Sequence, residues 1–206
     1  YWDAGDRERA LACYQAGLAL LDGPVAQIEL AQLYQEMGRL AFRSGENHRA
    51  VEWAQRSLTH AERLAPDSAG SLTGGDPETQ KEAAAAISHA YNTVGIALAR
   101  MGKPDEAVTY IERSVAVALE RGLLQAACRG YANLGVLYSS LNPGRAIETC
   151  AKGLEMAKKI GDLGFQSRLY ANLAVAYCTL TNRCEKDGID AARAAIELDR
   201  QLGQLD

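Results

Sequence analysis

The sequence predicts an all-α chain of stacked helix pairs, and three observations predict it. An eight-residue phrase recurs: Tyr91-Asn92-Thr93-Val94-Gly95-Ile96-Ala97-Leu98, then Tyr131 to Tyr138, then Tyr170 to Tyr177, at steps of 40 and 39 residues, with a looser copy over 34–41. Repetition at a near-fixed period marks an architecture in which each unit buries its apolar face only against its neighbours. Apolar residues make up 48% of the 206-residue chain but aromatics only 6%. The core is therefore mostly Ala and Leu, which suits closely packed helices better than sheets. Finally, no segment reads as a strand, while apolar residues return every three or four positions throughout.

Taken in order, residues 6–21 place Ala10, Leu11, Tyr14, Leu18 and Leu21 at helical spacing, and Gly23-Pro24 breaks that helix. A second helix over 25–44 stops at Gly45, and a third runs over 47–64 with Ala50, Val51, Ala54 and Leu58 on its inner face. Residues 65–76, rich in Gly and small polar residues, predict a loop. It lacks the Lys-Ser/Thr end and the preceding strand of a phosphate-binding loop. Asp76-Pro77-Glu78 is a strong helix start: a cap, a Pro at the first helical position and an early acid. The fourth helix covers 77–100, ending at Met101-Gly102, and Lys103-Pro104-Asp105 opens the fifth, which ends before Arg121-Gly122. The sixth covers 123–141, Asn142-Pro143-Gly144 turns the chain, and the seventh covers 145–160 before Gly161-Asp162. The eighth covers 163–180 and, after a turn over 181–186, the ninth covers 187–202. The predicted organisation is a single domain over 1–206: a half repeat at 1–22, then helix pairs at 25–64, 77–121, 123–160 and 162–202.

This pattern resembles the tetratricopeptide repeat (TPR) family, whose first helix carries an aromatic, Leu-Gly and Tyr and whose second carries a small residue near its start. The residues that carry the likeness are Tyr91-x-x-Val94-Gly95, Tyr131-x-x-Leu134-Gly135-x-x-Tyr138 and Tyr170-x-x-Leu173-Ala174-x-x-Tyr177, with Ala50 and Ala107 at the small position. A mid-helix Gly costs about 1 kcal/mol against Ala, so its return in the same frame implies that neighbouring backbones approach closely there. The period near 40 looks like the longer-helix variant of Pins-type adaptors, kinesin light chains and bacterial signalling-protein arrays. The resemblance implies a right-handed α-solenoid. The chain departs from it at 65–76, where the Gly38 to Gly95 interval stretches to 57 residues. The opening Tyr1-Trp2-Asp3-Ala4-Gly5-Asp6 and the closing Gln204-Leu205-Asp206 predict a fragment cut from a longer protein, with helix faces at both ends open to self-association.

Helical spacing sets a second stripe beside the packing stripe of each first helix. The resemblance implies that this stripe lines a concave groove. It comprises Gln32, Glu36, Arg39 and Arg43; His89, Thr93, Ile96 and Arg100; Arg129, Asn133, Val136 and Ser140; Arg168, Asn172, Val175 and Thr179. Five Arg against one Glu give +4 on a chain of net charge −4, leaving −8 for the rest. Arg forks suit carboxylates, Asn133 and Asn172 offer donor and acceptor to an extended backbone, and Val136 and Val175 supply apolar contact. The expected function is a protein–protein interaction module gripping an acidic or carboxylate-bearing peptide. The alternative is an intramolecular regulatory or spacer segment of a larger signalling protein or transcription regulator with no diffusible ligand.

Other chemistries are expected to be absent. His48, His60 and His89 lie apart, with no carboxylates at metal-ligand spacing, so no metal or other cofactor is expected. No nucleophile elbow or acid–base pair points to an enzyme. The acidic balance and the lack of stacking aromatics on the stripe argue against nucleic acid. No apolar run spans a membrane and no signal peptide is present, so the expected location is the cytoplasm. Cys13, Cys128, Cys150, Cys178 and Cys184 are odd in number and show no two-residue spacing, which predicts free structural thiols in a reducing compartment.

Overall fold

In the computed structural model, residues 7–21, 27–64, 76–180 and 182–204 are described. The predicted break at Gly23-Pro24, most of the 65–76 loop and both chain ends lie outside them. The described residues form nine α-helices and no strand: α1 (Arg7–Leu20), α2 (Gln27–Arg43), α3 (Asn47–Glu62), α4 (Pro77–Arg100), α5 (Pro104–Glu120), α6 (Leu124–Leu141), α7 (Pro143–Ile160), α8 (Leu163–Cys178) and α9 (Ile189–Gln201). The chain divides into two compact units, Tyr1–Arg121 with α1 to α5 and Gly122–Asp206 with α6 to α9.

Each turn within a pair follows from its sequence. Gly45 has φ +79, its N–H bonds the Phe42 carbonyl at 3.0 Å, and the Glu46 N–H bonds the Ala41 carbonyl at 2.9 Å. This satisfies the last carbonyls of α2 in a left-handed cap that only Gly enters without strain. The same pair of bonds closes α4 at Gly102 and α7 at Gly161. Asp76 caps α4 as predicted, accepting from the Glu78 and Thr79 N–H groups at 2.9 and 3.0 Å. These bonds to the charged form, from Thr79 first, hold its carboxyl below the usual range.

Two turns differ from expectation. Asn142 alone separates α6 from α7, because Pro143 serves as the first helical residue and the Asn142 side chain accepts from the Arg145 N–H at 3.1 Å. After α8 the chain makes a π-helical turn, Cys184–Gly188, and α9 starts at Ile189 rather than 187. A disulfide joins Cys178 to Cys184, correcting the expectation that every thiol is free. Cys13 is free, as expected, and exposed. Cys128 and Cys150 are free, as expected, and fully buried; burial pushes their thiols up to about 11, with the Asp162 charge adding for Cys128, and to about 12.

In unit 2 the core joins Cys128 and Ala132 of α6, Cys150, Leu154 and Ala157 of α7, Leu169 and Leu173 of α8 and Ala191 of α9. Leu134, Gly135 and Tyr138 are buried and Tyr131 is half-buried, as the packing stripe requires. In unit 1, Ala97 of α4 packs on Ala41 and Ala50 of the preceding pair. Each pair is also pinned by a small polar side chain reaching a carbonyl across it. Ser57 bonds Ala31 at 2.7 Å, Ser114 bonds Ser88 at 2.7 Å, Cys128 bonds Gly153 at 3.9 Å and Ser167 bonds Ala195 at 3.4 Å. Buried hydroxyls need such partners, and each hydroxyl bond contributes on the order of 1 kcal/mol net, while the Cys128 thiol is a weaker donor.

Candidate binding surface

The inner helices α2 and α4 pack side by side in unit 1, as do α6 and α8 in unit 2. The charged stripe is therefore present in each unit, with different fates for its residues. In unit 1, Arg39 is half-buried and its guanidinium pairs with the Glu36 carboxylate at 2.8 Å. Arg100 donates to the Phe42 carbonyl at 2.8 Å and lies 3.7 Å above the Phe42 ring. Both cations are thus engaged with their own chain, Arg39 within α2 and Arg100 across from α4 to α2. Thr93 is buried between the two helices, His89 is half-buried and Arg43 is exposed.

Unit 2 is more open. Val136 on α6 and Val175 on α8 occupy equivalent positions one repeat apart, and they are 57% and 55% exposed. The Asn172 side-chain amide donates to the Ala132 carbonyl at 2.8 Å, which bridges α8 to α6 and fixes the amide in place. Arg168 is exposed and lies over the Phe165 ring at 5.6 Å. It borders a 420 Å³ hollow shared with Asp162, Ser167, Asp199 and Gln204. Arg129 and Asn133 are half-buried. Val136, Val175, Asn172 and Arg168 therefore stand on two adjacent helices of one unit.

Sequence reasoning missed a second concavity in unit 2. A 430 Å³ hollow lies between α8 and the π turn with α9, walled by Ala174, Val175, Cys178, Gly188, Ile189 and Ala192. The apolar character of Ile189 and Ala192 is visible in the sequence, but their facing α8 depends on the π turn, which periodicity does not announce. Among the described residues, no group of three or more His, Cys, Asp or Glu is placed to hold a metal ion. No described helix is long and apolar enough to cross a membrane.

Comparison with known proteins defines the class. Residues 88–120 match the family model described as tetratricopeptide repeat. The described residues have the fold of a tetratricopeptide-type helical-repeat array. No curated protein sequence matches it. Among solved structures it is similar to the apo form of RapI, with TM-score 0.79 and 14% identity over 98% of this chain and 67% of that one. It is also similar to aspartyl phosphate phosphatase F from Bacillus subtilis, with TM-score 0.72 and 10% identity over 87% of this chain and 42% of that one. YrrB, described as a TPR protein with an unusual peptide-binding site, matches with TM-score 0.56 and 17% identity over 98% of this chain and 82% of that one. At these identities the likeness is one of fold. The chain spans less than half the length of the phosphatase.

Proposed function

We propose that the chain is a protein-interaction module whose inner-helix faces bind an extended, carboxylate-bearing segment of a partner, with unit 2 the principal site. One observation carries the reading: Val136 and Val175 stand solvent-exposed in register on adjacent helices, beside an amide already fixed by its own bond and an exposed guanidinium. Apolar side chains set one repeat apart offer an extended segment successive contacts. The Asn172 amide is pre-oriented, so less freedom is lost when a backbone group meets it. Arg168 and Arg129 supply the charge that favours a carboxylate. The structural likeness to YrrB, whose description names a peptide-binding site, is consistent with this use of the fold.

A random-peptide display selection on the intact chain tests it. Selected peptides are expected to be enriched in Asp, Glu and aliphatic residues. Val136→Asp with Val175→Asp should weaken the best of them by tenfold or more, which is about 1.4 kcal/mol. Arg129→Glu with Arg168→Glu should remove the preference for acidic residues while leaving the circular dichroism of the chain unchanged. Peptides that bind all three proteins equally would place the site elsewhere.

A further inference from the structure

The last helix pair is joined differently from the others. Each earlier second helix is started by a device in its own turn: the left-handed Gly45 before α3, Gly102 with Pro104 at the first position of α5, and the Asn142 cap with Pro143 for α7. Between α8 and α9, no described residue has a positive φ, no side chain caps α9 and no Pro opens it. Besides its backbone bonds, this turn is held by the Cys178–Cys184 disulfide, by the ion pair of Arg183 with Asp187, and by the Arg183 guanidinium 4.5 Å from the centre of the Tyr177 ring. The ion pair is partly exposed, and such pairs contribute far less than a covalent link.

The bond stands at the helix crossing itself. A Cβ built on Gly188 would lie 3.5 Å from the Ala174 carbonyl oxygen of α8, 2.7 Å from the Cys178 sulfur and 3.7 Å from the Cys184 sulfur. Two reduced thiols cannot stand at bonding distance, so opening the bond drives the sulfurs apart where Gly188 already leaves no slack. The next residue, Ile189, is the first of α9. The turn is also within reach of small molecules: Cys184 is half-buried, with exposed Arg183 and Glu185 on either side. The turns of the earlier pairs are exposed too, at Gly45, Lys103 and Asn142, although more helices follow them. Cys128 and Cys150 are fully buried and out of reach of the same chemistry. We infer that Cys178 and Cys184 form a reversible thiol–disulfide exchange site for a low-molecular-weight disulfide of the glutathione class, and that its closed form holds α9 against α8 while its open form releases it. One cysteine thiolate attacks a sulfur of that disulfide, forming a mixed disulfide and expelling one thiolate; the second cysteine then attacks the first cysteine's sulfur and expels the other. Two cysteine thiols are oxidised to one bond, one disulfide is reduced to two thiols, and the two cysteine protons pass to the departing thiolates. Excess thiol runs the exchange backwards. The site does not rest on the binding surface proposed above.

The test uses the full chain carrying Cys13→Ser, which removes the exposed lone thiol, equilibrated in glutathione buffers of stepped reduced-to-oxidised ratio. Peptide mass mapping after alkylation gives the closed fraction of the pair, and hydrogen exchange follows α9. The pair is expected to pass from open to closed within the series and to return when the ratio is reversed. Exchange over 189–201 should be about tenfold faster in the open form, with exchange over 143–160 unchanged. A chain that also carries Cys178→Ser and Cys184→Ser should exchange at the open rate in every buffer. Each of four results would overturn the inference. The first is a pair that stays closed in excess reduced glutathione, as a purely structural disulfide does. The second is a pair that stays open in excess oxidised glutathione. The others are closure that leaves exchange over 189–201 unslowed, and a serine variant that exchanges at the closed rate.

Discussion

Gly95 shows how one atom fixes the distance between two helices. A Cβ built there would stand 3.0 Å from the Ala107 carbonyl oxygen and closer still to the Ile111 side chain. At Gly38 the nearest atom is the Ala50 carbonyl oxygen at 3.3 Å. In the last pair the order reverses: α8 carries Ala174, and the glycine is Gly188, whose Cβ would lie 3.5 Å from the Ala174 carbonyl oxygen. The crossing therefore holds one glycine and one alanine, on whichever helix. Gly95→Ala gains about 1 kcal/mol of helix propensity but overpacks a crossing with no room. Overpacking costs about 1–3 kcal/mol, so the net expectation is a loss, read from urea denaturation. Gly95→Ala should cost less in an Ile111→Ala background, where the side chain nearest that Cβ is gone, and a double-mutant cycle showing no coupling would refute the crossing as the cause. The glycine frame was legible in the sequence at Gly38, Gly95 and Gly135. Ala174 breaks that frame, and the compensating Gly188 sits in a turn that the repeat pattern does not reach.

At the scale of the element, periodicity located all nine helices to within a few residues but not how the last two are joined. The turn between them holds the Cys178–Cys184 disulfide and a π-helical turn, both products of three-dimensional proximity that no spacing rule signals. The candidate stripe was legible in the same partial way. Helical spacing placed its residues on one face and sets Arg39 one turn from Glu36, but the engagement of Arg100 with Phe42 emerges only when α2 and α4 are packed. The α2–α3 pair adds a further contact of this kind. His60 of α3 stacks on Tyr34 of α2 at 5.5 Å, and its Nδ1 lies 2.8 Å from the Gln27 Oε1. Burial, then the charge of Arg63, lowers its pKa from the ordinary 6.5. A histidine more easily protonated when unfolded supports the fold only while neutral. Its contribution is intact above about pH 6.5 and is lost as the pH falls below that toward the depressed folded value. Thermal melts of the wild type should thus decline in stability below pH 6.5 more steeply than those of His60→Gln, which keeps a hydrogen-bonding side chain without the titration. Parallel curves would show that His60 is not the titrating group.

Over the whole molecule, the charge is divided unevenly between surfaces. The chain carries −4, the sixteen stripe residues +4, and the remainder −8. A polyanion approaching the protein meets net repulsion and gains only where its charges reach the stripe. A short acidic segment can place one or two carboxylates on Arg129 and Arg168 without confronting the rest. With a screening length of about 10 Å at 0.1 M salt, its affinity should fall only several-fold between low and moderate ionic strength, because the valine contacts are indifferent to salt. A single-stranded oligonucleotide that bound the same arginines would lose affinity with a log–log slope of about −0.7 for each phosphate neutralised. It would also lack aromatic faces on which to stack its bases, since the stripe contains neither Tyr, Phe nor Trp. Fluorescence anisotropy with a selected acidic peptide and a poly-thymidine oligonucleotide, each titrated across a salt series, separates the two. The peptide should bind at every salt concentration with a shallow slope, and the oligonucleotide should bind weakly even at the lowest. An oligonucleotide that binds more tightly than the peptide, with the steeper slope, would reassign the arginine stripe to phosphate recognition.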